Sequence, residues 1–75
     1  MKKSHLLINC EHGAEELVGS RIAEIAYVKN VERTTGYYDL VVELESNNEQ
    51  QFKKILETEI RNIQPVRSIL TLNHA

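Results

Sequence analysis

A single cysteine, a single proline and three glycines leave this chain of 75 residues short of most ordinary punctuation. With Cys10 alone, no internal disulfide framework can form, and the composition fits a reducing, cytoplasmic setting. Charge of one sign is equally scarce. Nine Lys and Arg against eleven Asp and Glu give a formal net charge of -2 and a pI near 5.9. That balance offers no electrostatic footprint for nucleic acid, and neither zinc-finger spacing nor an RNP-like aromatic block is present. Direct nucleic-acid binding is not expected. Long hydrophobic runs are missing too. "MKKSHLLINC" opens with two lysines like a signal peptide, but its apolar run reaches only about four residues before Asn9, too short for a signal core or a membrane span. No membrane partner is expected. No linker, repeat or low-complexity tract interrupts the chain, so residues 1–75 read as one small domain. At this length only roughly 60% of the unfolded surface is buried, and association with another chain helps.

What is present is periodicity. "SHLLINC" (4–10) is a short apolar run bounded by "EHG" and reads as a strand. From Ala14 the period lengthens: Ala14, Leu17, Val18, Ile22 and Ile25 recur at helical spacing, with Glu15 and Glu16 in the first turn where the helix dipole favours acids. "VKNVERT" (28–34) and "GYYDLVVELE" (36–45) predict the second and third strands. Ser46 followed by Glu49 has the form of a capping box and predicts a second helix, whose stripe is Phe52, Ile55, Leu56, Ile60 and Ile63. Pro65 stops it, and "VRSILTL" (66–72) supplies the last strand before a short polar tail.

The order β-α-β-β-α-β with right-handed crossovers predicts an α+β, ferredoxin-like βαββαβ fold: a four-stranded antiparallel sheet, spatial order 4-1-3-2, with two helices on one face. Strand alternation assigns Leu6, Ile8, Cys10, Leu40, Val42, Leu44, Leu70 and Leu72 to the face under the helices. Leu7, Val41 and Ile69 fall on the other face, among His5, Asn9, Asp39, Glu43 and Thr71. An aliphatic centre on an open sheet predicts a partner, and a second copy of the chain is the simplest. Leu7, Val41 and Ile69 are therefore the expected dimer interface.

The chain's only aspartate, two of its three tyrosines and one of its glycines crowd into "RTTGYYDL" (33–40). Gly36 permits positive φ and leaves backbone N–H groups free at a turn, where they can donate to a carboxylate. Asp39 supplies the matching charge for an ammonium group, and Tyr37 and Tyr38 offer flat walls with polar tips. Residue chemistry alone favours an ordinary hairpin, with Gly at the turn and tyrosines in strands. "NCEHG" (9–13) sets Cys10, Glu11 and His12 side by side, but zinc needs at least three protein ligands and no second cluster supplies them. Cys–His catalysis would also need an orienting group and an oxyanion hole. Cys10 reads as a small buried hydrophobe. No catalytic residue, metal ligand or cofactor is expected.

"TTGYYDLVV" on this topology resembles the T-G-x-Y-D-hydrophobic motif of the Lrp/AsnC family of transcription regulators, in their effector-binding RAM domain. The likeness runs nearly end to end, through "LLINCEHGAEE", "VKNVERTTGYYDLVVEL" and "IQPVRSILTL". It implies a stand-alone RAM domain without the helix-turn-helix, a dimeric α+β barrel joined through the sheets, and further assembly into rings of dimers. It also implies an amino acid or related metabolite bound by Thr35, Gly36, Tyr37, Tyr38, Asp39 and Thr71, and a full-length Lrp/AsnC-type regulator as a partner. Two departures stand out. Gln64-Pro65-Val66 replaces the family's frequent Pro-Gly-Val, and its Thr-x-Thr pair aligns with Ile69 and Thr71, leaving one hydroxyl. The expected function is thus small-molecule sensing and oligomerisation linked to transcription regulation. The alternatives are a ligand-independent interaction subunit, a small monooxygenase-type barrel using His5, Asp39 or Glu43, and an ACT-type module.

Overall fold

The computed structural model describes residues 2–73; Met1, His74 and Ala75, and with them most of the expected polar tail, lie outside the described residues. The elements follow the expected order: β1 (Lys2–Cys10), α1 (Glu15–Ala23), β2 (Val28–Arg33), β3 (Leu40–Ser46), α2 (Glu49–Lys54) with a π-helical continuation (Ile55–Ile60), and β4 (Val66–Asn73). The sheet order is β2-β3-β1-β4, all neighbours antiparallel. This is the ferredoxin-like arrangement, with both helices over one face.

β1 and β3 are the central strands, and every second residue of each is buried. Leu6, Ile8 and Cys10 meet Leu40, Val42 and Leu44 beneath Val18 and Ile22 of α1 and Phe52, Ile55 and Ile60 of the second helix. Truncating one fully buried Leu or Ile of this set to Ala costs about 2–5 kcal/mol, a large share of what so small a domain has.

Three local features differ from expectation. Leu17 is 51% exposed, because Val18 and Ile22, four residues apart, already take the core side of the nine-residue α1. The N-cap of α2 is Asn48, whose side chain accepts from Gln51 N–H at 2.8 Å, while the Gln51 side chain accepts from Asn47 N–H at 2.6 Å. Ser46 instead ends β3, fully buried. The third is the π turn. An α-helix that buries Phe52 and Ile55 would bring Glu59 inward next, whereas Ile60 is the buried residue. The helix widens, with Arg61 N–H donating to Leu56 O five residues back at 3.0 Å, so that an isoleucine and not a carboxylate enters the core.

β4 is turned over relative to expectation. Its register sets Val66 opposite Cys10, then Ser68 opposite Asn9, so Arg67 is an extra residue in a β-bulge. The bulge shifts the alternation by one: Ile69 pairs with Ile8 and Thr71 with Leu6 on the helix-bearing side, and Ile69 packs on the core. Leu70 and Leu72 come to the open face at 46% and 44% exposure, opposite Leu7 and His5. The aliphatic centre of the open face is therefore Leu7, Val41, Leu70 and Leu72, and Ile69 is not part of it.

Candidate functional site

The bend between β2 and β3 is a closed loop tied to the end of β1. Thr34 N–H donates to Asp39 O at 3.0 Å and shuts its base. Asp39 N–H donates to Ile8 O at 3.0 Å, and Cys10 N–H donates to Asp39 Oδ2 at 2.9 Å. One aspartate thus bonds with both backbone groups that β1 offers at this level. Glu11 N–H donates to Pro65 O at 2.8 Å, which joins the same corner to the start of β4. Strand β3 begins only at Leu40, so Gly36–Asp39, expected to extend that strand, belong to the bend.

Gly36 sits at φ 104°, and a Cβ there would meet nothing, so the position needs glycine for its backbone alone. Tyr37 projects at 85% exposure while Tyr38 is half-buried; their rings are 5.2 Å apart and tilted by 60°. Thr35 is exposed, and the Thr34 hydroxyl donates to its carbonyl at 3.3 Å. A small ligand would meet an aromatic ring, a glycine turn and Asp39 Oδ1, which accepts no hydrogen bond among the described residues.

Thr35, Gly36, Tyr37, Tyr38 and Asp39 are brought together. Thr71 is not. It lies on the helix-bearing side opposite Leu6, two positions along β1 from Ile8 and on the far strand, on the order of 10 Å across the sheet. The expectation that Asp39 and Thr71 share a face fails because of the Arg67 bulge.

The other candidate chemistry disperses. Cys10 is buried, and burial pushes its thiol up, with the charges of Asp39, Glu15 and Glu11 adding and Arg33 opposing. A thiol held protonated is a poor nucleophile and metal ligand. His12 and Glu11 are exposed in the turn. Among the described residues, no three His, Cys, Asp or Glu side chains are grouped to hold a metal ion. His5 and Glu43 face each other on the open side, where Glu43 pairs with Lys3 at 3.4 Å. Asp39, the third candidate acid for an enzyme, is in the bend and not with them.

The model of the Lrp/AsnC ligand binding domain matches residues 5–73. The chain belongs to this family. A protein from Thermus thermophilus (TTHA0845) superposes with a TM-score of 0.96 at 25% identity, over 100% of this chain and 94% of that one. E. coli AsnC superposes at 0.92 with 16% identity over 97% of this chain, which spans 50% of AsnC. A transcriptional regulator of Neisseria meningitidis in complex with L-Met superposes at 0.90 with 10% identity, over 99% of this chain and 49% of the regulator. At such identities the last two speak to fold alone. No curated protein sequence matches the chain. No helix among the described residues is long and apolar enough to cross a membrane.

Membership in the Lrp/AsnC ligand-binding family makes this a regulatory effector-binding domain. Sequence reasoning missed Leu70, Leu72 and the Cys10–Asp39 bond. For the first two a signal exists: Val66 and Ile69 are three apart, which unbroken alternation cannot bury together. The Cys10–Asp39 bond joins residues 29 apart and leaves no sequence signature.

Proposed function

We propose that this Lrp/AsnC ligand-binding domain senses an amino acid or a related small metabolite at the Thr35–Asp39 bend. It assembles at least into dimers through its open sheet face and serves transcription regulation in the cytoplasm without covalent chemistry. The observation that carries the reading is Asp39, with one carboxylate oxygen fixed by Cys10 N–H and the other left for a ligand ammonium beside Tyr37. The L-Met in the Neisseria regulator's complex supports the ligand class. Leu7, Val41, Leu70 and Leu72 support the sheet-to-sheet dimer, as an exposed aliphatic centre asks for cover. A full-length Lrp/AsnC-type regulator is the partner that fits a domain of this kind.

Thermal unfolding at fixed protein concentration, scanned against the twenty amino acids at millimolar levels, tests the sensor. A ligand at 100 times its Kd adds about 2.7 kcal/mol. The expected result is a selective rise that Asp39→Asn abolishes, since asparagine keeps an acceptor for Cys10 N–H but removes the charge. If no amino acid raises the midpoint, sensing at the bend is refuted. The engagement of the Asp39 carboxylate by the Cys10 backbone N–H then favours a ligand-independent interaction subunit. Sedimentation of Leu70→Glu tests the assembly: the expected change is from dimer to monomer.

A further inference from the structure

A cavity of about 580 Å³ lies between α1 and the end of the second helix, on the side of the molecule away from the open sheet face. Its size falls within the range of small-molecule sites. Leu17, Ile25 and Ile63 give it an aliphatic wall, and Arg21, Glu24 and Glu59 give it charge. None of those three charged side chains takes part in an ion pair among the described residues, although Arg21 and Glu24 stand three apart at the end of one helix. The π turn is what places Glu59 here. By carrying Ile60 into the core it turns Glu59 out of it and toward α1.

We propose that this inter-helix groove binds a small basic zwitterion: a carboxylate, two cationic groups and an aliphatic chain between them, the chemistry of a basic amino acid. One guanidinium and two carboxylates leave the lining with a single net negative charge, so the complementary ligand carries a single net positive charge. Arg21 takes the carboxylate, for which a guanidinium is the best-shaped donor. Glu24 and Glu59 take the two cationic groups. The ligand's methylenes cover Leu17, which is 51% exposed without it. The groove and the bend share no residue, so this site stands whether or not the bend binds anything.

The experiment is a two-dimensional amide NMR titration of the full chain with L-lysine, repeated with norleucine, which lacks the terminal ammonium, and with cadaverine, which lacks the carboxylate. The expected result is saturable shifts at Ala26, Ile63 and Gln64, with both analogues about tenfold or more weaker. Arg21→Gln and Glu59→Gln each weaken lysine binding at the groove by about tenfold with the amide dispersion of the fold retained. No saturable shift at the groove, equal binding by norleucine or cadaverine, or unaltered lysine affinity in Arg21→Gln overturns the proposal. Lysine shifts confined to the bend and lost in Asp39→Asn overturn it too, while supporting the bend.

Discussion

Replacing Asp39 by alanine removes the acceptor of Cys10 N–H, one of the two hydrogen bonds that tie the β2–β3 bend to the end of β1, and keeps the backbone bond from Asp39 N–H to Ile8 O. A hydrogen bond to a charged group contributes about 1.5–3 kcal/mol. Asp39 is half-buried, so water reaches the vacated N–H and the cost falls toward the lower end, about 1–2 kcal/mol. For a domain this small, that lowers the thermal midpoint by roughly 5–15 °C. Asp39→Asn retains an oxygen at the same place and exchanges a charge-assisted bond for a neutral one about half as strong. It is expected to cost under about 1 kcal/mol. Thermal unfolding at one fixed protein concentration, with hydrogen exchange at the Cys10 amide, reads both effects. A midpoint for Asp39→Ala within about 1 °C of the parent chain, or Asp39→Asn as damaging as Asp39→Ala, refutes the anchoring role.

Gly36→Ala meets no steric obstacle, so its expected cost of about 1–2 kcal/mol is that of holding a side chain at positive φ; Gly36→Asn should cost less in the same denaturant titration. Asn48→Ala should lose about 1 kcal/mol with the α2 cap. Ser46→Ala should be neutral or stabilising, because the buried Ser46 Oγ has no hydrogen-bond partner among the described residues. The Cys10 thiol, pushed up chiefly by burial, stays protonated in the folded chain at pH values where the unfolded chain ionises. The stability it confers is therefore present below the ordinary thiol range and lost as pH rises through its folded value. Urea unfolding across alkaline pH should show this decline in the parent chain and a flatter profile in Cys10→Ala.

Element order, sheet order and the helix-facing residues of β1 and β3 were determined by the sequence itself. Alternation over "SHLLINC" and "LVVEL" has one solution when the core is a single layer, and a helical period between strands leaves few connections that cross to the right. The bend was legible in part: glycine, two tyrosines and the only aspartate form a local pattern, although Gly36–Asp39 read as the start of the third strand.

What tertiary structure alone decided was which of several local choices the core would accept. The bulge at Arg67 satisfies Val66 and Ile69 together and so delivers Leu70 and Leu72, not Ile69, to the open face. Ile60 already stood on the apolar stripe of the sequence, and tertiary structure decided that a π turn carries it into the core and leaves Glu59 facing α1. Cys10 and Asp39, 29 residues apart, are joined because β1 ends beside the base of the bend. In each case local periodicity is a sum of near neighbours, while burial is judged over the whole fold. A shift of one residue in a strand or one extra residue in a helix turn is a small local distortion, against the several kcal/mol of a misplaced carboxylate or an unfilled core.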